Sequence, residues 1–181
     1  MVPGAHRSPP GVVRHPGPMI ALRRLTGDDW PLWRELRLAA LADAPYAFGS
    51  TLADWQGDGD REDRWRARLD IEDSHNVVAT VDGDPVGMAS GVPTTGQEGV
   101  VELISMWVSP AGRGRGVGDA LVVEVERWAR SRGATRLRLD VSDGNQVAAA
   151  LYERNGFVFT GELGDVMPDG VRRERVMEKR L

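Results

Sequence analysis

The chain has 181 residues, 41% of them hydrophobic and 28% charged, with a net charge of −4 and no cysteine. That balance suits one globular domain with a sizeable core, and no apolar run approaches the ~20 residues of a membrane span. Disulfides, thiolate catalysis and cysteine-ligated zinc are excluded, the scattered His6, His15 and His75 offer no metal-ligand spacing, and the acidic balance argues against a nucleic-acid footprint.

Residues 1–18, rich in Pro and Gly and without hydrophobic periodicity, read as a disordered extension ahead of a single domain over 19–181. They lack the apolar core of a signal peptide, so a cytoplasmic location is expected. Met19 opens a natural strand, IALRRLT, and offers a second candidate start. Asp28 or Asp29 can cap a helix with Pro31 in its first turn and Trp33, Leu36 and Ala40 on one face, ending near Ala44. A second helix over about Ser50 to Leu69 is interrupted by the turn Gly57-Asp58-Gly59-Asp60. Asn76 to Thr80 and Pro85 to Val92 form a hairpin around Asp82-Gly83, and Val100 to Val108 continues the sheet. Leu121, Val125 and Trp128 give the next helix an inward stripe, Glu124, Glu126 and Arg127 an outward face, and Gly133 a stop. Arg136 to Val141 is a strand, Gln146 to Asn155 a short helix, and Phe157 to Glu162 and Arg172 to Leu181 the last strands.

Glycines just before a helix let an anion approach unpaired N–H groups at the positive end of the helix dipole. Here the dinucleotide spacing fails, since Val117 or Asp119 stands where the third glycine belongs. The Walker spacing also fails, because the only lysine is Lys179. What remains, Arg113-Gly114-Arg115-Gly116-Val117-Gly118, fits R-x-x-G-x-G between a strand and a helix. Together with Asn145 to Phe157, of the form N-x-x-A-x-x-L-Y-E-x-x-G-F, it resembles the GNAT superfamily of acyl-CoA-dependent N-acetyltransferases from about Ile20 to Leu181. The resemblance implies an α/β fold with a mixed, mostly antiparallel central sheet and helices on both faces. It also implies acetyl-CoA as co-substrate, held by Met106, Trp107, Val108, Arg113, Gly114, Arg115, Gly116, Val117, Gly118, Asp119 and Asn145. Arg113, Arg115, Arg127, Arg130 and Arg132 form a basic patch that either faces coenzyme phosphates or is a solvated helix face.

Attack of an amine on a thioester needs a base to free the amine, an acid for the thiolate and a donor for the oxyanion. The resemblance implies a backbone N–H near Met106 to Val108 as that donor. Tyr152 is the candidate acid: it shares a helix face with Asn145, and its ordinary pKa of ~10 keeps it protonated. In the family the tyrosine at this place donates to the thiolate and the asparagine contacts the cofactor. Tyr152 also reads as a packing partner of Phe157, and Asn145 as a helix N-cap.

Glu102 is the candidate base. In a regular strand it shares a face with Ile104, Met106 and Val108, and partial desolvation raises its pKa, although a bulge would reverse that parity. Glu98 and Glu35 are weaker candidates. Pro45 to Asp63, with Tyr46, Phe48, Asp54, Trp55, Asp58, Asp60, Glu62 and Asp63, falls where the resemblance implies the acceptor cleft; its aromatics and carboxylates suit a cationic amine, and its acids also read as a solvated loop, with Gly164 to Val171 as the opposite wall. The expected acceptor is a small-molecule amine or a peptide amine (an N-terminus or lysine), with a non-catalytic acyl-CoA-binding module as the third reading. No nucleic acid, membrane or metal partner is expected, and the protein is expected to be a monomer or homodimer.

Overall fold

A computed structural model describes residues 19–181; the expectation for 1–18 falls outside them. Seven strands run as β1 (Ile20–Leu25), β2 (His75–Val81), β3 (Asp84–Pro93), β4 (Val100–Val108), β5 (Arg136–Ser142), β6 (Val158–Val166) and β7 (Arg173–Arg180). Four α-helices intervene: α1 (Trp30–Asp43), α2 (Glu62–Leu69), α3 (Val117–Ser131) and α4 (Gln146–Arg154). The sheet order is β1-β2-β3-β4-β5-β7-β6, antiparallel except for the parallel β4–β5 pair. This is the mixed, mostly antiparallel sheet expected from the sequence.

Two cores, one per face, hold the sheet. Under α3 and α4, Leu121, Val125, Leu139 and Phe157 pack with Val77, Ala89 and Met177. On the other face Trp33, Leu41 and Trp65 from α1 and α2 close on Val78, Met88 and Trp107. The α3 stripe sits close to the strands because Gly91 offers no side chain there: a Cβ at Gly91 would lie 2.6 Å from the Trp128 ring. Trp128 in turn stacks on His75, 5.2 Å between centroids.

Three expectations change. The helix expected from Ser50 holds only over Glu62–Leu69; Ala53–Trp55 and Gly57–Gly59 are separate 3-10 turns, split where Gly57 takes a positive φ. Glu124 and Glu126 do not face solvent, because Glu124 accepts from His75 and Arg127, and Glu126 from Lys179 and Arg130. The last hairpin is longer than expected, β6 continuing to Val166, so Gly164 belongs to a strand. Among the described residues no helix is long and apolar enough to cross a membrane.

Candidate active site

The parallel pairing of β4 with β5 covers only Val100 to Glu102 against Arg136 to Arg138. Beyond that point β4 remains on β3, and β5 on β7, but the two part from each other. Backbone groups of β4 that face β5 past Glu102 therefore lack a ladder partner, a wedge into which an extended amide-bearing ligand can add its own hydrogen bonds.

Below the wedge lies the glycine turn. Gly114 and Gly116 have φ of 72° and 84°, where a Cβ is disfavoured, and the space a side chain would take at Gly114 is empty. Gly116 is the α3 N-cap without a side-chain cap, and among the described residues the N–H groups of Gly114 to Gly118 make no backbone hydrogen bond. Bare donors, the helix dipole and open space together fit a diphosphate.

The neighbouring side chains divide into free and committed. Arg115 is exposed and has no ion-pair partner among the described residues, so it can reach an anion. Arg113 instead donates to the Val108 carbonyl at 3.1 Å and pairs with Asp43, which also accepts from Trp107 Nε1 at 3.0 Å. Asp119 receives Arg154 through two hydrogen bonds of 2.7 and 2.9 Å and Asn155 at 2.8 Å, stapling α3 to α4. What Arg113, Val117, Gly118 and Asp119 can offer an anion is backbone. Arg127, Arg130 and Arg132 sit toward the far end of α3, paired with Glu124, Glu126 and Asp73. They form no shared patch with the turn.

Asn145 caps α4, its Oδ1 accepting from Ala148 N at 3.3 Å. Tyr152 is buried edge-on to Phe157, ring centroids 5.8 Å apart, and burial pushes its pKa well above the ordinary tyrosine value. Its hydroxyl makes no hydrogen bond among the described residues, so the packing role and a free donor coexist.

The strand parity expected for Glu102 does not hold. Met88 pairs with Trp107 and Ser90 with Ile104, so β4 carries an extra residue, and Ser105 takes φ 54°. Glu102 and Ile104 therefore share the α1/α2 face with Trp107, whereas Met106 and Val108 pack on the α3 side. The bulge puts the candidate base on the opposite face from Met106. Burial, reinforced by Asp140 and opposed by Arg138, raises the Glu102 pKa above the ordinary glutamate value. Glu98 lies in the turn before β4, at its closed end, and Glu35 is exposed on α1, so neither joins the site.

The expected acidic acceptor segment is mostly spent on itself. Asp60 accepts from Arg34 and from Trp65 Nε1, Glu62 pairs with Arg66, Asp63 with Arg61, and Asp54 accepts from the Thr51 backbone. Trp55 packs on Trp65, and Tyr46 is exposed. Phe48 does line this side, under the Arg37 guanidinium at 4.5 Å. Sequence reasoning missed two buried arginines. Arg37 donates to Ser50 Oγ, and Arg68 to Asn76, Ser90 and the bulge residue Ser105; burial pushes both pKa values down to about 10, Arg68 adding to the effect on Arg37. It also missed Asp140, whose place between Leu139 and Val141 in β5 was an available signal, and Glu174, which stands between Arg173 and Arg175 in β7 and carries no such signal.

The split sheet, the bare helix start of α3 and the buried phenol on α4 are features that suit a long diphosphate ligand. The chain belongs to the acetyltransferase (GNAT) family, whose pattern matches residues 33–157. It is 37% identical over 107 residues to the streptothricin acetyltransferase of Streptomyces lavendulae, covering 58% of this chain and 54% of that protein. It is 33% identical over 138 residues to the mycothiol acetyltransferase of Salinispora tropica, covering 72% of this chain and 42% of that protein. The chain thus matches about half the length of these relatives. In fold it is similar to the PaiA N-acetyltransferase from Thermoplasma acidophilum solved with coenzyme A, with a TM-score of 0.69, 18% identity, and 90% and 99% of the two chains covered.

Proposed function

We propose that this protein is an N-acetyltransferase that moves the acetyl group of acetyl-CoA directly to a primary amine of a small molecule, both bound at once. The observation that carries the reading is the β4–β5 wedge opening beside the uncapped glycine turn. Acetyl-CoA supplies the activated acetyl group and its thiol leaving group. Gly114 to Gly118 hold the diphosphate with backbone N–H groups, Arg115 adds charge, and the unpaired edge of β4 aligns the thiol arm.

On the α1/α2 face Glu102 takes a proton from the incoming ammonium through a water chain, a role suited to a carboxylate whose pKa is raised by burial. Backbone N–H groups near Met106 to Val108 offer donors where negative charge develops. Tyr152, kept protonated by burial, donates to the departing sulfur. The bulge at Ser105 gives this division a geometric basis: the coenzyme side and the amine side lie on opposite faces of the same strand. Similarity to an enzyme named for an antibiotic supports a small-molecule acceptor over a peptide.

The test is thiol release from acetyl-CoA against a panel of small amines and short peptides, alongside thermal stability with and without the coenzyme. A coenzyme-dependent rise in melting temperature and release with small amines are expected. No rise at millimolar coenzyme would remove the reading, and release with peptides alone would move the acceptor to protein.

A further inference from the structure

Three carboxylates on the α1/α2 face, Glu102, Asp140 and Glu174, stand together without an ion pair, the first two close to one cation, Arg138. Glu102 faces Arg138 across the last β4–β5 pair; Asp140 follows on the same face of β5, about 7 Å further along the strand; and Glu174 stands opposite Ser142 on β7. None of the three forms an ion pair among the described residues, whereas Asp119, Glu124 and Glu126 all do. Each has its pKa raised, first by burial; Asp140 adds to the rise at Glu102 and Glu174, and Glu102 to that at Glu174, while at Asp140 Arg138 opposes the rise and Asp165 and Glu162 reinforce it. Arg138 is the cation among them, and it is shared with Glu162 and Glu178.

A second observation points to a ligand. Ser142, 3% exposed and register partner of Glu174, has a buried hydroxyl with no hydrogen-bond partner, and Asp140 Oδ1 is likewise buried and unpaired. The walls are close and small. A Cβ at Gly164 would come within 3.4 Å of Asp140 Cγ and 2.9 Å of Glu174 Cβ, and one at Gly49 within 3.8 Å of Glu174 Oε1. Like charges gathered on a half-buried face raise its energy, and orphaned buried acceptors add to it, so a cation that neutralises them recovers both terms.

We infer that Asp140, Glu174 and Ser142 form a subsite for a second ammonium of the acceptor, so that the preferred substrate is a small diamine or polyamine. This rests on the acetyltransferase reading, in which Glu102 serves the attacking nitrogen. Asp140 and Glu174 then hold a nitrogen a few carbons away, deeper along β5, and a monoamine leaves them unpaired.

The experiment separates the two ideas by measuring binding apart from turnover. Calorimetry on the full chain saturated with coenzyme A compares 1,4-diaminobutane with n-butylamine. The diamine is expected to bind at least about tenfold more tightly, and Glu174→Gln to bring the ratio near one while coenzyme affinity reports that the variant is folded. Asp140→Asn provides the same readout should Glu174→Gln not fold. Equal affinities in the unmodified protein, or a ratio unchanged in the variant, overturn the subsite. Tight diamine binding without thiol release from acetyl-CoA would keep the subsite and overturn the acetyltransferase reading.

Discussion

The two faces of the sheet treat charge in opposite ways. Under α3, Glu124, Glu126 and Asp119 are each met by two or more donors, from His75 and Arg127, from Lys179 and Arg130, and from Arg154 and Asn155. Across the sheet, Glu102, Asp140 and Glu174 stand half-buried and without an ion pair, at and beyond the end of the β4–β5 pairing. The carboxylates on α3 are satisfied within the chain; under the proposed function those across the sheet are left for a ligand to satisfy. The same contrast separates the two ends of α3: paired arginines near its C-terminus and bare N–H groups at its start.

The largest test of this contrast is at the bare end. Gly116→Glu places a side chain and a negative charge in the cradle at a positive φ, and coenzyme affinity should fall by at least about 100-fold by calorimetry, with only about 1 kcal/mol lost in stability. Retained affinity would detach the diphosphate from this turn. Next, Tyr152→Phe should lower the rate of thiol release by about 10- to 100-fold while coenzyme affinity stays near its original value. A variant as fast as the original would leave Tyr152 as the partner of Phe157 alone.

A pH profile probes the unpaired face more gently. Since burial raises the Glu102 pKa, the rate should fall as pH drops through a value above the ordinary glutamate range, and Glu102→Gln should erase that acidic limb. A limb that survives the substitution belongs to another group.

The smallest effects compare stability across the sheet. Burial alone would raise the Glu126 pKa, but hydrogen bonds from Lys179 and Arg130 hold it lower, so its contribution is present above the unfolded pKa and lost as pH falls through the folded one. Glu126→Gln should cost about 1–2 kcal/mol at neutral pH in denaturant unfolding. Asp140 has the opposite sign: its raised pKa favours the folded state at low pH and costs stability as pH rises through it. Asp140→Asn should therefore raise stability at neutral pH, by about 0.5 kcal/mol after allowance for solvent screening. Destabilisation by both would mean that the two faces do not differ.

Much of the frame was legible in the chain. Period-two and period-3.6 patterns locate most strands and helices from Ile20 onward, the stretch from Ser50 to Arg61 excepted, and Gly114 and Gly116 before an apolar helix stripe mark a helix start suited to an anion, because those signals depend only on residues close in sequence. The acceptor side was harder to read. The acids between Asp54 and Asp63 were the obvious acidic cluster, yet most are consumed by neighbours such as Arg34 and Arg66, while Asp140 and Glu174 lie far apart in sequence and meet through strand order.

Sequence alone determined the helix start that can hold a diphosphate, the tyrosine helix that follows and the alternation that makes the sheet, since each is a local property of the backbone and its side-chain period. Only tertiary structure decided where the sheet splits, that one extra residue at Ser105 turns Glu102 away from Met106, and which carboxylates go unpaired. Those outcomes depend on register and on partners brought together from distant strands, which no local pattern encodes.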